Sequence, residues 1–185
     1  MNWLIKQWFY IKYFSGFRKV SEKTNIYSFS SYDLNDGQWI QDNAGWYFTK
    51  VFKKKYGIFL YRAKLDGAFE ETCWPAMWLV NSEGVYFEID IELMKGNKYP
   101  YLVYTTWVNP NSSLSSESKV ERVRFNNKYF IKRIQSEYND FVIDWSDDCV
   151  KFYINGILSA IIKNTPTGEM YLSVGNITMS KVMVY

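Results

Sequence analysis

Tyr86-Phe87-Glu88-Ile89-Asp90-Ile91-Glu92-Leu93 alternates strictly, with Phe87, Ile89, Ile91 and Leu93 at odd positions and Tyr86, Glu88, Asp90 and Glu92 at even ones. A period of two is that of a half-buried β-strand, whose successive side chains leave from opposite faces. Three carboxyls therefore stand in a row on one surface. Each carboxylate raises the proton affinity of its neighbours, so the row carries an electrostatic cost that something must offset.

Spacing suggests what the row is for. At roughly 3.3 Å per residue the Cα atoms of Glu88 and Glu92 are about 13 Å apart, and side chains leaning together bring the carboxyls to about 5 Å. A retaining glycosidase needs two carboxyls at that separation, one to attack the anomeric carbon and one to protonate the leaving oxygen. Asp90 between them can share a proton and push the two pKa values apart, so that one residue serves as acid and the other as nucleophile. On spacing alone, a solvated acidic face on an antiparallel strand is an equal alternative.

The flanking chain has the same short-strand character. Strands are predicted around Tyr27 to Phe29, at Trp39, and over Trp46 to Lys53, Gly57 to Leu65, Cys73 to Val80 and Tyr99 to Val108. Others follow at Val120 to Phe125, Lys128 to Ile134, Asp140 to Trp145, Glu169 to Gly175 and Lys181 to Tyr185. Val150 to Ile154 and Leu158 to Ile162 flank Asn155-Gly156, the strongest two-residue hairpin signal. Turn chemistry marks Asp33 to Gly37, Asp42 to Gly45, Asn81 to Gly84 and Asp147-Asp148, and Lys53-Lys54-Lys55 reads as a solvated turn. Asn109 to Lys119 is a Ser- and Asn-rich loop, and loops of that length are functional or mobile. No segment shows a long helical period. Repeated short strands imply an all-β fold of two stacked antiparallel sheets.

Composition narrows the function classes. At 185 residues the chain is most simply one domain, 21–185, preceded by an aromatic and basic arm, 1–20. Aromatics make up 20% of it, including sixteen Tyr and eight Trp, more than a core needs and suited to stacking sugar rings. A net charge of +3, dispersed, does not indicate nucleic acid. Without histidine, Ser-His-Asp chemistry and histidine metal sites are excluded. Cys73 and Cys149 have no metal-ligand spacing, and two free buried thiols are expected rather than a disulfide. In the arm, Trp3, Leu4, Trp8, Phe9, Ile11, Tyr13 and Phe14 are interleaved with Lys6 and Lys12. This is too short and interrupted for a transmembrane segment or a clear signal peptide; an amphipathic helix on a membrane or partner remains open, and a part in the fold or an assembly contact through residues 1–17 is the expectation.

Four segments, in order, resemble one family. Glu88-Ile89-Asp90-Ile91-Glu92 is similar to the catalytic signature of glycoside hydrolase family 16, the β-glucanases and their relatives. Trp74-Pro75-Ala76-Met77-Trp78-Leu79 resembles the segment that precedes it, and Tyr56-Gly57-Ile58-Phe59-Leu60-Tyr61-Arg62-Ala63-Lys64 a strand further upstream. Phe141-Val142-Ile143-Asp144-Trp145 with Val150 to Gly156 resembles the family's later hairpin.

The resemblance implies a jelly-roll sandwich, concanavalin A-like, with the acidic strand on its concave face. It implies Glu88 as nucleophile, Glu92 as acid and then base, and Asp90 as the assisting residue. With no extra residue between Ile91 and Glu92 the strand should be regular rather than bulged. Substrate contacts carried over are Tyr86 as a sugar platform and Arg62, with Trp74 and Trp78 open between cleft and core and Tyr104 and Trp107 as further cleft candidates. Leu60 replaces a substrate-binding Glu, which implies a lost sugar contact. The final strand lacks the Asp that precedes it elsewhere, which argues against the family's structural calcium, and no cofactor is expected.

Two function classes follow. One is a retaining endo-glycosidase or transglycosylase acting on a β-linked polysaccharide. The other is a non-catalytic glycan-binding or assembly module on the same fold. Three acids kept at the right spacing favour the enzyme, because a binding module gains nothing from a self-repelling row. A polysaccharide substrate implies action outside a cell or on a cell surface. Seventeen Lys against five Arg, with few Ala, suggest a low-GC microbe or a bacteriophage as source.

Overall fold

The computed structural model describes residues 27–30, 39–41, 46–49, 53–69, 74–81, 86–109, 119–125 and 127–184. The arm, Cys73, the turns expected at Asp33 to Gly37 and Asp42 to Gly45, and residues 82–85 and 110–118 of the expected turn and loop lie outside them.

Two antiparallel sheets stack as a jelly-roll sandwich. The six-stranded sheet runs β1 (Tyr27–Ser30), β13 (Thr178–Val184), β4 (Gly57–Lys64), β9 (Asn139–Trp145), β10 (Val150–Ile154), β11 (Ile157–Ile162). The seven-stranded sheet runs β2 (Trp39–Gln41), β3 (Tyr47–Thr49), β12 (Tyr171–Gly175), β5 (Ala76–Asn81), β6 (Tyr86–Met94), β7 (Tyr101–Asn109), β8 (Lys119–Phe125). The predicted acidic strand is thus β6, paired on both sides in the middle of its sheet.

Alternation in each strand decides which face is buried. On β6, Phe87, Ile89, Ile91 and Leu93 enter the core, joined by Met77 and Leu79 from β5 and Leu102 from β7. Phe59, Tyr61 and Ala63 of β4 and Phe141, Ile143 and Trp145 of β9 come from the facing sheet. Polar tips cross between the sheets as well. The Tyr61 hydroxyl donates to the Trp78 carbonyl at 3.3 Å, and the Tyr104 and Ser159 hydroxyls share a 2.6 Å hydrogen bond.

The β10–β11 turn forms at Asn155 and Gly156, both with positive φ (51° and 73°), as a two-residue hairpin requires. One prediction fails, because Lys128–Ser136 is a helix, α1, and not a strand. Asn127 caps it, its side chain accepting from the Phe130 N–H at 3.2 Å, and Ile131 and Ile134, three apart, are the buried pair. An N-cap followed by apolar residues three apart outweighs a strand reading based on composition. The α1 backbone is tied to the sandwich where the Leu65 N–H donates to the Ile134 carbonyl at 2.9 Å.

Lys53-Lys54-Lys55 is only partly a solvated turn. Lys54 exchanges two backbone hydrogen bonds with Met170, and partial burial lowers its amine pKa. Cys149 is a free thiol, half-buried. Among the described residues no helix is long and apolar enough to cross a membrane.

Tyr104 lies in the core, stacked on Phe152 with ring centroids 5.0 Å apart, and does not reach the acidic face. Burial pushes its phenol up to about 12, although the hydrogen bond to Ser159 opposes this. An unfolded tyrosine titrates near pH 10, so the folded state keeps its proton while the unfolded state loses it. The stability this provides is complete below about pH 10 and is lost as pH rises towards about 12. Tyr104→Phe is expected to cost about 1 kcal/mol at neutral pH. It should also flatten the alkaline loss, as read from urea midpoints measured across that window.

Candidate active site

The acidic row is set by register. Asn81 to Ala76 pair with Phe87 to Glu92 on one side, and Asn109 to Tyr101 pair with Tyr86 to Met94 on the other, with no shift in either ladder. The strand is therefore regular through all three acids. Directly opposite residues share a face. Glu88 stands between Val80 and Trp107, Asp90 between Trp78 and Thr105, and Glu92 between Ala76 and Val103. These residues lie on the face turned away from the core. Asp90 is the most deeply set acid, 6% exposed, whereas Glu88 and Glu92 are half-buried.

Trp74 and Trp78 both belong to this face. Pro75 precedes β5, and its carbonyl accepts from the Leu93 N–H at 2.8 Å, which pins the Trp74-Pro75 segment beside the end of β6. From there the Trp74 indole N–H donates to Glu92 Oε1 at 3.0 Å. Trp78 is directly across from Asp90, and both indoles are half-buried.

A third tryptophan joins them. Trp46 meets Trp74 edge to face at 5.4 Å between centroids and Trp78 at 4.7 Å. Its ring fits because Gly175, opposite Ala76, has no side chain, and a Cβ there would come within 1.9 Å of the Trp46 ring. Trp46 follows Gly45 in the chain, and nothing local in the sequence marks it as part of this cluster. Its place depends on a glycine roughly 130 residues away.

Thr105, also unremarked in the sequence, is 1% exposed, and its hydroxyl oxygen has no hydrogen-bond partner among the described residues although it is directly across from Asp90. Leaving such a group unsatisfied costs about 1–3 kcal/mol.

Other expected contacts are elsewhere. Arg62 is on the outer face of the six-stranded sheet, paired with Asp140 at 3.1 Å, because β4 turns Phe59, Tyr61 and Ala63 inward and its even residues outward. Leu60 is on that same outer face, packed with Val142 and Tyr153, so its apolar side chain removes no contact from the acidic face. Trp107, opposite Glu88, is on the acidic face. The Tyr86 backbone continues β6 two residues before Glu88, and its side chain is outside the described residues. Among the described residues no three His, Cys, Asp or Glu side chains are grouped to hold a metal ion.

The sequence profile of the glycosyl hydrolases family 16 matches residues 17–184. The chain belongs to that family. No curated protein sequence matches it significantly. Among solved structures it is similar to a β-1,3-1,4-glucanase (lichenase) from a mouse hindgut metagenome, with 12% identity, a TM-score of 0.60, and 87% of this chain and 99% of that one covered. Porphyranase B from Zobellia galactanivorans is similar at 15% identity and a TM-score of 0.58, over 86% and 74% of the two chains. The Crh5 transglycosylase is similar at 14% identity and a TM-score of 0.58, over 87% and 84%. At these identities the structural likeness establishes the family's fold.

Three substitutions test the geometry without reference to catalysis. The Trp74 N–H favours ionised Glu92, so Trp74→Phe should raise the Glu92 carboxyl pKa in a carbon-13 NMR titration. Thr105→Val removes a buried, unsatisfied hydroxyl and should leave the urea midpoint unchanged or higher, whereas a loss above about 1 kcal/mol would mean the hydroxyl is bonded. In Gly175→Ala the new methyl displaces Trp46, with an expected cost of about 1–3 kcal/mol and a change in tryptophan fluorescence.

Proposed function

We propose that this family 16 protein is a retaining endo-glycosidase or transglycosylase that cleaves a β-linked polysaccharide laid across β6. The observation that carries the proposal is the unshifted register, which gives Glu88, Asp90 and Glu92 one solvent-facing surface flanked by Trp78 and Trp107. Family membership supports glycoside hydrolysis as the chemistry.

Glu88 attacks the anomeric carbon while the glycosidic C–O bond breaks, and Glu92 gives its proton to the departing oxygen. The product is a glycosyl ester on Glu88. Glu92, now a carboxylate, takes a proton from water, whose oxygen displaces Glu88 with net retention. A sugar hydroxyl in place of water gives transglycosylation. Asp90, deeper than either, shares a proton with its neighbours and keeps them from ionising together. Trp74 orients the Glu92 carboxyl, and because its N–H favours the anion it assists the half-reaction in which Glu92 has given up its proton. Trp78 and Trp107, and Tyr86 through its place on the strand, are the proposed stacking surfaces for sugar rings.

The deciding experiment measures reducing-end release from a panel of β-glucans, galactans and bacterial surface polysaccharides, with Glu88→Gln as the blank. Release by the wild type, reduced by roughly 10³-fold or more in Glu88→Gln and in Glu92→Gln, is expected. Proton NMR of the first product should show the anomeric configuration retained, and an inverted first product would remove Glu88 from the nucleophile role. Binding to a polysaccharide without release by the wild type would instead make the chain a glycan-binding module.

A further inference from the structure

Cations stacked on aromatic rings flank the acidic row on both sides. On the β12 side, Tyr171 is opposite Val80, which is opposite Glu88, and Lys53 Nζ lies 4.7 Å from the Tyr171 ring centroid. On the β8 side, Arg124 is opposite Val103, which is opposite Glu92, and its guanidinium carbon lies 5.3 Å from the Tyr101 ring centroid. Arg124 is two strands from the acids, about 10 Å across the sheet, and Lys53 is stacked on a ring that is likewise two strands away. In the same direction the backbone register puts Arg122 opposite Thr105, itself opposite Asp90.

A neutral glycan would offer these two cations no charge to pair with. Three carboxyls at the centre of the face repel any polyanion, and at physiological ionic strength their field decays over about 8 Å. Cations placed about 10 Å or more away therefore act on a different part of a polymer lying across the strands than the acids do. The acids face the ring being cleaved, and the cations face rings further along the chain. Both cations are exposed, yet each is held over an aromatic ring, so less side-chain freedom is lost when an anion binds.

Resting on the glycosidase reading, we propose that the substrate is an anionic polysaccharide whose sulfate or carboxylate groups are bound by Lys53 on one side of the cleavage point and Arg124 on the other. Arg124 can take two oxygens of such a group at once, and Lys53 acts as a point charge.

The test is affinity electrophoresis of Glu88→Gln in gels containing a sulfated galactan or polygalacturonate, with lichenan, laminarin and agarose as neutral comparators. Retardation about tenfold stronger with one acidic polymer than with any neutral one is expected, weakening at high salt. The preferred polymer also identifies the anion as sulfate or carboxylate. Adding Lys53→Gln and Arg124→Gln should reduce that retardation about tenfold, with the urea midpoint unchanged because both side chains are exposed. Equal retardation by a neutral polymer, or acidic-polymer retardation that survives both substitutions, overturns the proposal. Reducing-end assays of the wild type separate the two readings. Release from neutral polymers alone leaves a glycosidase and removes the anionic substrate, whereas retardation by the acidic polymer without release keeps the cation sites and removes the glycosidase.

Discussion

The two-residue period of β6 is the constraint on which the rest depends. Four apolar side chains, Phe87, Ile89, Ile91 and Leu93, are at most 8% exposed. A slip of one residue would turn all four out to water and drive three carboxyls into an apolar interior. Burying each large apolar side chain contributes about 1.5–3 kcal/mol, and an unpaired carboxylate in the core costs more than that. The hydrophobic effect on one face therefore holds the charged row in register on the other. The core thereby places the acids.

The neighbouring strands turn that row into a site. β5 and β7 pair with β6 without a shift, so Trp78, Thr105 and Trp107 take their places by register alone. Trp74 needs more, because it lies outside the strand. The Pro75 carbonyl on the Leu93 N–H brings its indole to Glu92, and Trp46, seated over bare Gly175, supports it from the side. Three indoles thus brace one end of the acidic face. Rigid neighbours of this kind hold a carboxyl in one orientation, which acid-base chemistry requires.

The outer face of the other sheet shows why a motif match does not locate a side chain. Arg62 and Leu60 lie in a strand that resembles its family counterpart, and the strand forms where expected. Its inward residues are nevertheless Phe59, Tyr61 and Ala63, so the even positions turn away from both the core and the acidic face. Tyr104 shows the same effect in reverse. One place along β7 from Thr105, it points into the core and meets Phe152 and Ser159 of the facing sheet. In a strand, neighbouring positions belong to opposite surfaces, and which surface is the site depends on pairing between strands.

Much of this could be read from the chain itself. Strict alternation over Tyr86 to Leu93 gave the strand and the common face of Glu88, Asp90 and Glu92, because local periodicity needs no partner to be read. Asn155-Gly156 gave the hairpin, since a positive φ at two successive residues is written in residue type. Lys128–Ser136 is a helix where composition suggests a strand, because the Asn127 cap and the spacing of Ile131 and Ile134, both local, outweigh composition. The roles of Trp46 and Gly175, the seating of Trp74 on Glu92, the isolation of the Thr105 hydroxyl and the paired cations Lys53 and Arg124 came only from the folded chain. Each joins residues far apart in sequence, and such contacts exist only once the two sheets have closed on one core.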